Sequence, residues 1–181
     1  MTEIMSQESA VALVGPMLLS SGKEYQKFKR AFIRKALENE KIQTILQGKV
    51  ETENIASEGD MVVRADTTSK EEYILKADTF QKVYHASEPE EIVDHADAEE
   101  LQRLGFKAYK PNRKILAVEV DATIAGLFPG GKFMAAWGEA MCLEVGDYLA
   151  SGPRQADGSI AEIIRIEKVS FYETYEAIPA P

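Results

Sequence analysis

The sequence is poor in cysteine, and its only one, Cys142, excludes an internal disulfide bond. Basic residues are outnumbered, with 21 lysines and arginines against 30 aspartates and glutamates and a net charge of −9. Because binding to a nucleic-acid backbone depends on phosphate neutralisation by Lys and Arg, we expect no nucleic-acid partner. Cys142 lies in an apolar alternation, which predicts a core position rather than a nucleophile.

Long hydrophobic runs are missing as well. The longest apolar stretch near the start, residues 10–21, is interrupted by Gly15 and Pro16 and is too short to span a bilayer. No Lys or Arg precedes this stretch, whereas a secretion signal begins with a basic flank. The sequence therefore predicts a cytoplasmic protein without membrane contact, in which residues 1–22 form a leader.

Motifs of familiar catalytic and cofactor sites are also lacking. We find no nucleophile elbow, Cys-His pair, dinucleotide fingerprint or phosphate loop. The only histidines, His85 and His95, do not have a recognised zinc spacing. We therefore expect no metal and no cofactor, and the sequence indicates a binding protein more than an enzyme.

The main feature that is present is a pattern that occurs twice. Gly59-Asp60 and Gly146-Asp147 each precede apolar residues, and each copy ends in Phe-x-x-x-Tyr. Between these landmarks the second copy is longer by four residues, which are expected in a loop at 152–158 because loops tolerate insertion. The closing residues are predicted to be buried anchors: Phe80 and Tyr84 in the first copy, Phe171 and Tyr175 in the second.

This pattern predicts an α+β fold that is mostly antiparallel β, with two tandem pseudo-symmetric β units and short helices. Packing the copies together would cover strand edges that otherwise promote aggregation. The expected divisions are a leader over 1–22, a first β unit with an N-terminal helix over 23–84, a helical connector over 85–110, and a second β unit over 111–181.

Two segments are predicted to be helical. Tyr25, Phe28 and Phe32 recur at spacings of three and four, which predicts an amphipathic helix after Ser20 or Ser21. Within the connector, residues 96–104 are predicted to be helical. Residues 31–47 are ambiguous, because their propensity favours a helix whereas the repeat favours a strand at Phe32 to Glu38.

The candidate site residues are Asp60, Trp137, Glu139, Asp147 and Tyr148. A duplicated fold could bring Asp60 and Asp147 together, and paired carboxylates can share a proton or act as acid and base. The alternative, which we favour, is that each aspartate caps its own turn through backbone amides. Trp137 is interpreted as either a core residue, the favoured case, or part of a contact surface.

The second copy also resembles a known family. Residues 138–152, GEAMCLEVGDYLASG, and the ending Phe171, Thr174, Tyr175 and Glu176 are similar to the small bacterial and phage domains named for a PGDYG motif. Val145 stands where the motif has proline, and Leu149 stands where it has the final glycine. The resemblance covers about residues 114–176 and implies a fold, whereas the family has no established activity to carry over.

Two functional hypotheses follow. The first is a non-enzymatic binding or interaction module built from a duplicated small β unit, whose partner is an unknown small molecule or protein, with homodimerisation left open. The second is a small enzyme that uses paired carboxylates and tyrosines in a cleft between the units, with Asp147, Tyr148, Glu173 and Tyr175 as its residues.

Overall fold

A computed structural model describes residues 3–152, 154–179 and 181 of the chain. Antiparallel strands dominate and mostly short helices join them, so the predicted α+β class is confirmed. The helices are α1 (Gln7–Ser21), α2 (Ala77–Val83), α3 (Ala98–Arg103), α4 (Ala122–Ala125) and α5 (Lys168–Thr174), with a 3₁₀ turn at Pro129–Gly131. The strands are β1 (Lys23–Lys27), β2 (Ala31–Lys35), β3 (Lys41–Leu46), β4 (Lys49–Ile55), β5 (Met61–Ala65), β6 (Glu72–Leu75), β7 (Lys107–Tyr109), β8 (Lys114–Glu119), β9 (Lys132–Met134), β10 (Ala140–Cys142), β11 (Tyr148–Ser151), β12 (Ile164–Ile166) and β13 (Tyr175–Ala177).

The chain forms two compact units that do not follow the order of the sequence. The continuous unit is Lys27–Arg113, and the discontinuous unit consists of Met1–Gln26 and Lys114–Pro181. The divisions expected from the sequence lie elsewhere, near residues 22, 84 and 110. They differ because α1 and β1 form a unit with strands that come much later in the chain.

In the continuous unit, an antiparallel sheet runs in the order β6-β5-β2-β7. Its central strand β2 is apolar on both faces because both faces are covered. On one face, Phe32 packs with Leu101 of α3 and with Ile42 of the hairpin β3-β4. On the opposite face, Ile33 packs with Phe80 of α2.

In the discontinuous unit, the sheet runs in the order β12-β11-β8-β1-β13. Helix α1 covers one face, where Val14 and Leu18 share a cluster with Leu149. Helix α5 covers the other face, where Phe171 packs with Tyr148. Each face of this sheet therefore has its own apolar core.

Equivalent elements have the same order in the two units. The strands β6, β5, β2 and β7 occupy the places of β12, β11, β8 and β1. A helix of seven residues, α2 or α5, follows the outer strand in each case. Each sheet also contains a strand from the other half of the sequence. β1, from the first half, pairs with β8, and β7, from the second half, pairs with β2.

The strand register extends this correspondence to single residues. Met61 pairs with Leu75, and Tyr148 pairs with Ile166, so each pair stands at the same place after its Gly-Asp turn. The interval from Tyr148 to Ile166 is four residues longer than the interval from Met61 to Leu75, so the additional residues lie between β11 and β12. Pro153, which belongs to the predicted tip, lies outside the described residues.

The helix predicted to begin the first unit, over residues 22–32, is wrong. This segment contains β1 and the start of β2, and Tyr25 pairs with Ile115 of β8. The spacing of aromatic residues by three and four is a local signal, and pairing with a distant strand overrides it.

A helix occurs instead in the predicted leader, as α1. The Ser6 hydroxyl accepts a hydrogen bond from the Ser9 amide at 3.1 Å, which caps the helix. Ala10, Val14 and Leu18 follow at spacings of four and are fully buried. These residues form an apolar stripe that packs on the sheet, so the segment is part of the core of the discontinuous unit.

Three further predictions from the sequence are confirmed, and one is wrong. Residues 31–47 contain strands β2 and β3, which confirms the strand at Phe32, and α3 confirms the helix in the connector. The four aromatic anchors are buried as predicted. The core position predicted for Cys142 is wrong: its neighbours Met141 and Leu143 are buried, and the alternation at the end of β10 leaves Cys142 exposed.

Gly22, which ends α1, leaves no room for a side chain. A Cβ atom there would lie 2.4 Å from the carbonyl oxygen of Leu18 and 2.8 Å from Cγ of Leu116. Because a backbone oxygen cannot rotate away, we expect Gly22→Ala to lower the free energy of unfolding by about 1–3 kcal/mol, the usual range for overpacking. Urea denaturation measures this loss. Gly126→Ala is the control, since its Cβ would be 3.4 Å from its nearest neighbours, and equal losses in the two variants would contradict the steric argument.

Candidate functional site

Asp147 precedes β11, and three groups hold its carboxylate. Oδ2 accepts from the Glu144 amide and from Nε of Arg165, both at 2.9 Å, and Oδ1 accepts from the Lys168 amide at 3.2 Å. The Asp147 and Arg165 side chains are 2% and 7% exposed, so they form a buried ion pair. Burial raises the pKa of Asp147, whereas the two backbone donors lower it. This is the turn-forming role that the sequence favoured, with a buried arginine added.

Asp60 has the corresponding position in the continuous unit. Its Oδ2 accepts from the Ser57 amide at 2.9 Å, as Asp147 accepts from the amide three residues before it. The preceding glycine has a positive φ in both turns, 86° at Gly59 and 95° at Gly146. The cation differs, because Asp60 pairs with Lys76, whose side chain is 62% exposed.

The two aspartates thus stabilise turns within their own units. The donors that surround each carboxylate account for its burial, since buried charges are paired and hydrogen-bonded. The less favoured alternative, in which Asp60 and Asp147 act together as an acid and base, stays a hypothesis.

Tyr148 belongs to a group of aromatic rings that pack together on the α5 face, which we call the aromatic cluster. Its ring lies parallel to that of Phe171 at a centroid distance of 3.6 Å, and its hydroxyl is 3.2 Å from that of Tyr172. Burial and the Tyr172 hydrogen bond both raise the pKa of Tyr148, so its hydroxyl keeps its proton at neutral pH. The full set is Tyr25, Tyr148, Phe171, Tyr172 and Tyr175.

Trp137 and Glu139 lie in the turn between β9 and β10. The Glu139 carbonyl accepts from the Ala135 amide at 2.7 Å, and the Gly138 amide donates to the Ala135 carbonyl at 3.0 Å. Trp137 is 54% exposed, so the core position favoured from the sequence is wrong. The turn directs this side chain outward, which leaves a contact role open to it.

The continuous unit has a groove on its α2 face that the sequence did not indicate. Its volume is about 560 Å³, which lies within the usual range for ligand sites. Apolar residues form much of its lining, and Lys35 and Lys107 add positive charge. The lining residues are Ile33, Arg34, Lys35, Gly59, Met61, Ala77, Phe80, Gln81, Ala86, Gly105, Lys107 and Tyr109.

The groove and the aromatic cluster occupy the same place in the two units. Phe80 and Tyr109 make a T-shaped contact at 5.0 Å, as Phe171 and Tyr25 do at 4.9 Å. The neighbours of these rings differ. Where the discontinuous unit has Tyr148 and Tyr172, the continuous unit has Met61 and Gln81.

Two features of other site classes are missing from the part of the chain that the structure describes. It contains no group of three or more His, Cys, Asp and Glu residues arranged to hold a metal ion. Its helices are also too short or too polar to cross a membrane.

Comparisons with protein-family models, with curated proteins and with solved structures found no match to this chain. The resemblance to PGDYG-motif domains therefore stays a prediction.

The groove was missed because no residue in it belongs to a familiar motif. A signal was nevertheless present in the two copies. Aligned on Gly-Asp and on Phe-x-x-x-Tyr, the copies place Met61 opposite Tyr148 and Gln81 opposite Tyr172. Two large aromatic residues of the second copy are thus replaced by smaller residues in the first copy. This difference indicates space on that surface of the first copy.

Proposed function

We propose that this protein is a non-enzymatic interaction module that arose by tandem duplication of one small β unit. In this proposal the discontinuous unit keeps its α5 face closed by tyrosines. The binding site is the groove beside α2 on the corresponding face of the continuous unit. The observation that carries the proposal is the groove at the place where the aromatic cluster fills the other unit.

Three features support the duplication. Four strands have the same order in both sheets, the Gly-Asp turns have the same hydrogen bond, and the helices α2 and α5 have equal length. Duplication frees one copy to change, since the other maintains the original packing. The open groove is such a change, and its apolar floor with cationic residues is typical of binding sites.

The chemistry of the tyrosines also favours binding over catalysis. A tyrosine acts as a general base only when it loses its proton, and burial raises the pKa of both Tyr25 and Tyr148. The Asp147 carboxylate is already engaged by Arg165 and by backbone donors. These residues therefore stabilise the folded protein.

A thermal-shift screen against short peptides and metabolites tests the proposal. A ligand that binds only the folded state raises the melting temperature. We expect ligands that raise the melting temperature of the wild type and lose this effect in Gln81→Tyr, which places in the groove the residue that Tyr172 provides in the other unit. Tyr172→Gln, the opposite exchange outside the groove, is the matched control and should respond like the wild type.

Two results would contradict the proposal. One is a set of ligands whose effect is the same in Gln81→Tyr and in the wild type, because the groove would then not be the site. The other is turnover of a stabilising ligand that is lost in Asp147→Asn, because the enzyme hypothesis would then be correct.

A further inference from the structure

Residues 88–97, which we call the strap, lie between α2 and α3 and outside the helices and regular strands. The strap contacts the edge of β7, where Glu90 and Ala108 exchange both backbone hydrogen bonds, each at 2.9 Å. The other edge of β7 pairs with β2. The strap therefore covers a strand edge to which another strand could otherwise add.

Both ends of the strap are fixed by contacts that do not involve charge. Before it, the His85 amide donates to the Lys110 carbonyl at 2.9 Å, and Tyr84 forms an antiparallel bridge with Pro111. After it, Leu101 of α3 is fully buried. Local opening of the strap would therefore leave the residues on both sides of it in place.

The strap carries acidic side chains whose partners are basic residues elsewhere in the continuous unit. Hydrogen bonds from Arg30 and Lys70 lower the pKa of Asp94 and Asp97 respectively, which favours the ionised carboxylates. Most of the paired carboxylates are exposed, and salt screens exposed ion pairs. The pairs are Glu90 with Lys110 at 3.2 Å, Glu91 with Lys107, Asp94 with Arg30 at 2.8 Å, and Asp97 with Lys70 at 2.6 Å.

Apolar contacts hold the strap at fewer places. Ile92 is fully buried in the cluster that contains Phe32 and Leu101, whereas the next residue, Val93, is 78% exposed. His95 contacts the Phe32 ring edge-on at 5.0 Å. Screening acts on charges and not on the burial of an apolar side chain. The effect of salt on the strap therefore measures its ion pairs separately from its apolar contacts.

We propose that the strap is a salt-sensitive cover of the β7 edge. At low ionic strength its ion pairs hold it against the sheet. At high ionic strength these pairs weaken and the strap opens more often, so the N–H and C=O groups of Ala108 become accessible to water or to a strand of another chain. This inference does not depend on the proposed function of the groove.

Hydrogen exchange followed by NMR tests the proposal at single amides. The Ala108 amide donates to Glu90, whereas the amides of Lys107 and Tyr109 face β2, because successive N–H groups of a strand point to opposite sides. Raising NaCl from about 0.01 to about 1 M shortens the Debye length from about 30 to about 3 Å. We expect the Ala108 amide to exchange about tenfold faster, while exchange at Tyr109 changes by less than about twofold.

Two variants that remove the same charge locate the effect. Lys107→Gln removes the partner of Glu91, and we expect the Ala108 amide to exchange about two- to fivefold faster at low salt and to respond less to NaCl. Lys41→Gln is the matched control, because it removes an ion pair with Glu53 at 2.8 Å in the hairpin β3-β4. In this control the Ala108 amide should exchange as in the wild type.

Three results would overturn the proposal. Equal acceleration at Ala108 and Tyr109 would mean that the sheet opens as a whole. Exchange at Ala108 that does not respond to salt would mean that Ile92, and not the ion pairs, holds the strap. Equal exchange in Lys107→Gln and Lys41→Gln would mean that net charge alone produces the effect.

Discussion

Phe171→Ala is expected to lower the free energy of unfolding by about 3–5 kcal/mol, the usual loss for a fully buried phenylalanine. Phe171 is 1% exposed and lies between Tyr148 and Tyr175, with ring centroids at 3.6 and 5.4 Å. Tyr25 approaches the same ring edge-on at 4.9 Å. Truncation would remove a ring from the middle of the aromatic cluster and leave a cavity that three neighbours cannot fill.

Urea denaturation of the variant measures this loss, and Tyr172→Ala is its control. Tyr172 is the next residue on α5 and is 62% exposed, so we expect its loss to be below about 1 kcal/mol. A loss below about 1 kcal/mol for Phe171→Ala as well would show that the cluster does not anchor the helix.

Asp147→Ala is the second large effect, at about 3–5 kcal/mol. The substitution removes the carboxylate that faces the buried Arg165, and it removes the acceptor of the Glu144 and Lys168 amides. Removing one member of a buried ion pair is costly because the other charge remains in a medium of low polarity. We expect a smaller loss for Asp147→Asn, whose side-chain oxygen can still accept from the Glu144 amide.

Asp60→Ala is the matched control for the buried arginine. The turn is the same, but its partner Lys76 is exposed and returns to water when the carboxylate is removed. We expect a loss of about 0.5–2 kcal/mol there, as for a lost helix cap. Denaturation of both variants tests the comparison. Equal losses would assign the effect to the turn alone, and unchanged stability in Asp147→Ala would favour the enzyme hypothesis.

Local patterns in the sequence predicted the parts of the fold that local patterns determine. The helix within residues 96–104 was predicted from its local sequence, and the buried anchors Phe80 and Phe171 follow from the repeated Phe-x-x-x-Tyr. The turn role of Asp147 was also accessible, because Gly-Asp before an apolar strand is a turn signal. These features depend on residues close to one another in the chain.

Features that depend on distant pairing could not be predicted in this way. Tyr25, Phe28 and Phe32 have helical spacing, but residues 23–27 form a strand because β8 supplies their partner. The glycine and proline in α1 indicated a break, although the buried stripe through Val14 made a helix favourable. The groove arises from a difference between two surfaces, and no single residue in it has an unusual local sequence.

The pairing of β1 with the distant strand β8 indicates an order for folding during synthesis. β1 leaves the ribosome early, but its partner β8 follows only after the whole continuous unit has been made. Folding of that unit joins its two ends, since the Lys27 amide donates to the Arg113 carbonyl at 2.9 Å. Pairing β1 with β8 then closes a short loop instead of a long one, so the entropic cost of this pairing is lower. Folding of the continuous unit would thus bring β1 close to β8. Until that unit folds, β1 is an unpaired strand that can associate with other chains.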